Sequence, residues 1–147
     1  MPIIYYAEDV RLPMLKKTVV SRWIKNIAMV YEKRVGAIAF LFCTDEKILK
    51  VNRRYLHHDY YTDVITFDYT VGIFLSGDIY ISLDTVRSNS SEFQTPYIEE
   101  LYRVMIHGVL HLCGLDDQTP EDREKMTSAE DEALASLLFE INANKSK

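Results

Sequence analysis

Residues 37–43 read Ala-Ile-Ala-Phe-Leu-Phe-Cys, an unbroken apolar run between Gly36 and Thr44. A run this short, apolar at every position and bounded by turn signals, fits a buried strand rather than a helix. Such a strand must be covered, and the flanking sequence supplies helical patterns to cover it. Leu15, Val19, Trp23 and Ile27 recur every four residues, with Leu12, Val20, Ile24 and Val30 beside them. They form one apolar helix face, which Pro13 is suited to open and Gly36 to end. Thr44-Asp45-Glu46-Lys47 opens a second helix, with Thr44 as N-cap and acids in the first turn; Ile48, Val51 and Tyr55 are its inner side.

Further strands are expected over 2–6, 64–69 and 78–83, the last two as a hairpin or neighbouring pair. Residues 84–93 form a weak helix. Pro96 opens a longer one that carries Leu101, Met105, Val109 and Leu112 inward and stops at Gly114. Thr119-Pro120-Glu121-Asp122 starts the last helix, with Met126, Ala133, Leu137 and Leu138 facing in. The expectation is an α/β (α+β) chain of about four strands covered by about five helices. No repeat or linker divides it, so residues 1–142 read as one domain, with a disordered polar tail at 143–147.

Composition narrows the class. At 147 residues, 48% hydrophobic and 27% charged, the chain is long enough for a core without staples. Two cysteines, Cys43 and Cys113, form no disulfide framework and suit a reducing compartment. No apolar run reaches the ~18 residues of a membrane span, and residues 1–9 lack a signal-peptide pattern. The expected location is the cytoplasm, with no membrane partner. A net charge of −5 excludes a charge-driven coat for nucleic acid and leaves room only for a local basic face.

The chemistry concentrates in one segment. His107 and His111 stand four apart on the helix that Gly114 ends, so both imidazoles lie on one face and can share an ion. After the stop the chain can turn back, and Asp116 and Asp117 are both placed to add a carboxylate. Two nitrogens and one oxygen leave a fourth tetrahedral position for water, the pattern of a catalytic zinc site. The zinc-protease pattern His-Glu-x-x-His needs a glutamate where this chain has Gly108, which argues against peptide hydrolysis by that route. A helical glycine costs ~1 kcal/mol relative to alanine. It implies close approach of a strand or substrate, or a packing contact with the sheet. Cys113 falls off the ligand face and reads as core.

The segment His107-Gly108-Val109-Leu110-His111-Leu112-Cys113-Gly114-Leu115-Asp116-Asp117 resembles the signature of the YbeY family of bacterial metal-dependent endoribonucleases, His-Gly-x-Leu-His-Leu-x-Gly-Tyr-Asp-His. Two further blocks match in order. Val51-Asn52-Arg53-Arg54-Tyr55, through Asp59, and Thr62-Asp63-Val64-Ile65-Thr66-Phe67 resemble the family's Leu-Asn-x-x-Tyr-Arg-x-x-Asp-x-x-Thr-Asp-Val-Leu-Ser-Phe. Gly77-Asp78-Ile79-Tyr80-Ile81-Ser82 resembles its Gly-Asp-Ile-x-Ile strand.

The resemblance implies a zinc-hydrolase-like fold with a mixed sheet, and single-strand RNA cleavage in 16S ribosomal RNA 3′-end processing and ribosome quality control. It implies ribosomal RNA or the small ribosomal subunit as partner, rather than DNA, and leaves the oligomeric state open. It places the third metal ligand at Asp117, where the family has histidine. His107, His111 and Asp117 are then the catalytic metal set, holding one zinc ion or another divalent transition metal. Aspartate is a competent ligand that adds negative charge and favours harder ions such as manganese. The family's phosphate-facing arginine falls on Leu56. Arg53, Arg54, His57 and His58 are the groups available to face phosphate instead. Tyr60 and Tyr61 offer rings for stacking on bases. The rival readings are a metal hydrolase of another substrate and a non-enzymatic, metal-containing ribosome-assembly factor.

Overall fold

The computed structural model describes residues 3–57 and 62–145, with side chains described as far as Ile141. Four strands, β1 (Ile3–Ala7), β2 (Arg34–Cys43), β3 (Val64–Asp68) and β4 (Phe74–Ser82), form one sheet in the order β1-β2-β4-β3. The β1–β2 and β2–β4 pairs are parallel, and β3 joins β4 antiparallel at the edge. Five helices complete an α+β fold: α1 (Lys17–Val30), α2 (Asp45–Leu56), α3 (Leu83–Phe93), α4 (Tyr97–Leu112) and α5 (Pro120–Lys145). None is long and apolar enough to cross a membrane. The tail expected at 143–147 starts inside α5, which runs to Lys145, and its last two residues lie outside the described ones.

Local chemistry explains most boundaries. Thr44 caps α2 by accepting a hydrogen bond from the Lys47 amide at 3.2 Å, and Thr119 caps α5 through the Asp122 amide at 3.0 Å. Two punctuation residues act differently from their sequence reading. The amide of Leu15 donates to the Pro13 carbonyl at 2.9 Å, a tight turn, so α1 opens only at Lys17. Gly36 does not end α1, which stops at Val30; Glu32 takes the positive φ of 58° that follows. Gly36 lies within β2, where an added Cβ would sit 2.8 Å from the Leu75 carbonyl oxygen. The β2–β4 register shifts between Val35 and Ile38 beside it, so this glycine marks a bulge and a close approach of backbone.

The main core lies on one face of the sheet. Ile38, Phe40 and Phe42 of β2 and Leu75, Ile79 and Ile81 of β4 pack against α1, α4 and α5. Trp23 is fully buried there, and its indole N–H donates to the Ala133 carbonyl at 2.8 Å, tying α1 to α5. Among the described residues, the other face carries α2, through Ile48 and Val51 on Cys43 and Ile65. The run at 37–43 is therefore not buried on both sides. Ile38, Phe40 and Phe42 are buried, while Ala37 is exposed and Ala39 and Leu41 are half-buried. One short helix covers only part of a four-stranded face.

Candidate metal centre

Helix α4 is buried almost all round. From Glu99 to His111 only Glu99, Arg103, His107 and His111 are partly exposed, one every fourth residue, so they form a single polar stripe on a hydrophobic helix. Glycine at 108 lets the helix lie against the sheet. An added Cβ would meet Ile79 Cγ2 at 2.8 Å and Thr66 Oγ1 at 3.2 Å. The packing contact is thus the reason for this glycine. The hydroxyl of Thr66 is the one buried side-chain polar atom without a hydrogen-bond partner among the described residues.

The C-terminus of α4 brings the third donor back. Gly114 takes φ 105°; its amide donates to the His111 carbonyl at 3.0 Å and that of Leu115 to the Leu110 carbonyl at 3.1 Å. This is a Schellman closure, and it reverses the chain within two residues. The Asp117 amide then donates to Asp116 Oδ1 at 2.9 Å, which holds the Asp117 backbone. The outcome is a triangle of ligand atoms. His107 Nε2 lies 3.0 Å from His111 Nε2, and Asp117 Oδ2 lies 3.3 Å and 3.2 Å from these two nitrogens. Donors on a tetrahedral zinc ion at ordinary bond lengths stand about 3.3 Å apart, so this spacing fits one ion. His107, His111 and Asp117 are the His/Asp group among the described residues that can hold a metal.

Hydrogen bonds on the far side of each ring fix its orientation. His107 Nδ1 donates to Glu130 Oε2 at 2.6 Å, and His111 Nδ1 donates to the Leu115 carbonyl at 3.0 Å. With both protons committed to Nδ1, the two Nε2 lone pairs face each other and a carboxylate oxygen. That arrangement is repulsive until a cation fills it. Glu130 is buried, and its other oxygen accepts from Arg103 Nη1 at 2.8 Å; Arg103 Nη2 reaches Asp131 at 2.6 Å. Burial opposes charge on His107, but the Glu130 hydrogen bond and charge, with Asp117 and Asp63, outweigh it and raise the histidine pKa. Asp63 is also held above the usual carboxylate range, by burial first, although His107 and backbone amides pull it down. Its Oδ2 accepts from Asn89 at 3.3 Å.

The triangle opens on a cleft of about 680 Å³. Asn52 and Leu56 of α2 form one wall, Val64, Thr66 and Asp68 of β3 another, and residues 114–118 a third. Leu56 therefore reaches the cleft, whereas Arg53, Arg54 and His57 are exposed at the end of α2 and are not among its walls. His58, Asp59, Tyr60 and Tyr61 lie outside the described residues. Cys113 packs against the core, and burial pushes its thiol up to about 11. The reading from sequence did not include Glu130 or Arg103 as site residues. For Glu130 a signal exists: it interrupts the inward stripe of Met126, Ala133 and Leu137 with an acid.

Comparison with known proteins points to one family. A family described as Endoribonuclease YbeY matches residues 7–138. The protein of that name from Parabacteroides distasonis is 60% identical over 93% of this chain and 96% of its own length. That from Bacteroides fragilis is 58% identical over 92% of this chain and 97% of its own. The solution structure of TM1509 from Thermotoga maritima matches with a TM-score of 0.66 at 22% identity, covering 96% of this chain and 93% of that one. At that identity the last match speaks for the fold alone.

Proposed function

This chain belongs to the family of the endoribonuclease YbeY, and from that premise we propose that it is a metal-dependent endoribonuclease. Its substrate is single-stranded RNA, its task is the maturation of ribosomal RNA at the 16S 3′ end, and its site of action is the cytoplasm. Residues 1–142 act as one hydrolase unit. One observation carries the reading: three donor atoms of His107, His111 and Asp117 stand 3.0–3.3 Å apart, with both imidazoles oriented from behind. The ion they hold is one zinc, or a harder divalent metal that the added aspartate charge tolerates. When bound it supplies a Lewis acid that activates water and polarises a phosphoryl oxygen.

The protein's own share is positioning. Glu130 holds the proton on His107 Nδ1, and the Leu115 carbonyl holds that on His111, so each ring presents Nε2 to the cleft. Asp117 brings its charge to the same point. Leu56, Val64 and Leu115 give the cleft an apolar side.

The test is cleavage of a single-stranded ribosomal RNA fragment by wild type and His111→Ala, before and after chelation and re-addition of zinc. Cleavage by wild type that chelation stops and zinc restores, and that His111→Ala lacks, is the expected result. Equal, chelator-resistant cleavage by both proteins would overturn it. A second reading rests on Leu56, an apolar side chain on the cleft wall where the resemblance places an arginine. In it the metal is structural and the protein assists subunit assembly without cutting. A wild-type protein that binds one ion and small subunits but cleaves no RNA would establish that reading.

A further inference from the structure

The sheet face away from the main core is only partly covered, and what remains open is aromatic. Tyr55 of α2 meets Phe67 of β3 edge to face at 5.9 Å, and Phe67 meets Tyr80 of β4 in the same way at 5.8 Å. Tyr69 extends the strip beyond the end of β3; burial first, and then the nearby Asp78, Tyr80 and Tyr55, raise its pKa. Tyr55 is 57% exposed and Tyr69 56%. A row of exposed and half-buried rings at a sheet edge is a surface suited to binding.

Two features identify what covers this strip. The first is charge. The last turn of α2 carries Arg53 and Arg54, and the Arg54 guanidinium lies 5.5 Å from the Tyr55 ring centre. Asp78 is the acid beside Tyr69, so a strand lying here meets one carboxylate, the Arg54 guanidinium at its border and rings in its middle. The second is continuity with the metal cleft. Asn52 and Leu56, flanking Tyr55 on α2, and Ile65, two residues before Phe67 on β3, all line that cleft. Because β3 is the edge strand, a chain leaving the cleft passes over it directly onto the aromatic strip.

We propose that Tyr55, Phe67, Tyr69 and Tyr80, bordered by Arg53 and Arg54, are a stacking platform for the unpaired bases of single-stranded RNA next to the cut phosphate. The inference rests on the endoribonuclease reading and adds a base-binding site to it. Stacking on rings is tolerant of sequence, since every base has a flat π-face, and it is closed to a duplex, whose bases are already stacked on one another. The platform therefore selects strandedness rather than sequence. The metal triangle alone does not do so, because it meets only a phosphate and its neighbours.

The test is fluorescence anisotropy with the metal-loaded full chain and a labelled single-stranded 2′-O-methyl oligouridylate, whose integrity is checked on a gel after each titration. Wild type is compared with Tyr55→Ala, Tyr69→Ala and Tyr55→Phe, with metal content and melting temperature recorded for each. Each alanine variant should weaken single-strand binding by about 5- to 50-fold. Tyr55→Phe, which keeps the ring, should restore most of it, and metal content should stay at the wild-type level. Alanine variants that bind as tightly as wild type overturn the platform, and if they also lose co-sedimentation with ribosomal subunits, the strip is a protein-docking surface instead. A weakening that Tyr55→Phe shares equally also overturns it, since a ring was kept. Wild type that neither binds nor cleaves RNA would remove the underlying endoribonuclease reading. Wild type that does both, beside unaffected alanine variants, would remove the platform alone.

Discussion

On one face of the sheet, α1, α4 and α5 bury Phe40 completely; on the other, Phe67 stays half-buried between the exposed Tyr55 of α2 and the half-buried Tyr80. The covered face also carries the metal triangle, and there each donor is fixed by a second residue: His107 by Glu130, His111 by the Leu115 carbonyl, Asp117 by Asp116. On the open face the described side-chain hydrogen bonds gather where Asp45 accepts from Ser82 and Thr85, at the start of α2. The rings of that face touch edge to face and lean on one another. A site that must hold an ion within a few tenths of an ångström needs rigid walls, and the covered face supplies them. A surface that takes varied bases needs area and tolerance, which the open face supplies.

The same residue type on both faces gives the largest test. Phe40→Ala should cost about 3–5 kcal/mol in urea unfolding, because a fully buried ring leaves a cavity. Phe67→Ala should cost roughly half as much, since part of its surface is exposed before the change. Equal losses would break the distinction between the faces.

The next effect separates the orienting residues from the ligands. Glu130→Ala removes the partner of His107 Nδ1 and of Arg103 from a buried position. Zinc affinity should fall about 10- to 100-fold and the metal-free protein should lose about 2–3 kcal/mol. Unchanged affinity by calorimetric titration would mean that His107 needs no support from behind.

The smallest effect is one of pH. Asp63 has its folded pKa raised above its unfolded value of 3.8, mainly by burial. Its ionisation therefore weakens the fold as pH rises from the unfolded value through the folded one. Asp63→Asn should stabilise the metal-free protein near neutrality by a few tenths to about 1 kcal/mol, and that gain should vanish as pH falls towards 4. A gain that persists in acid would assign the effect to something other than this carboxyl.

What the sequence reveals of this molecule follows the range of the forces involved. His107 and His111 are legible because helical spacing puts them on one face, and the glycine stop leaves Asp116 and Asp117 both placed to join them; only the resemblance chooses Asp117. Thr44, Gly114 and Thr119 are legible for the same local reason. Glu130 comes from another helix, and only tertiary packing places it behind His107. Gly36 and Pro13 carry ordinary punctuation meanings that a bulge and a tight turn override. The run at 37–43 announces a strand but not how much cover each face receives, since that depends on where α2 ends. Tyr55 and Leu138 sit at inward positions of their patterns, yet they are 57% and 37% exposed: Tyr55 meets only the edge of Phe67 among the described rings.

The most direct test of the account is isothermal titration of zinc into metal-free wild type and Asp117→Ala. The account predicts one tight site per chain in the wild type and loss of that site in the variant, because the carboxylate closes the triangle at 3.2–3.3 Å from both imidazoles. One site of undiminished affinity in Asp117→Ala would contradict it and move the third ligand elsewhere.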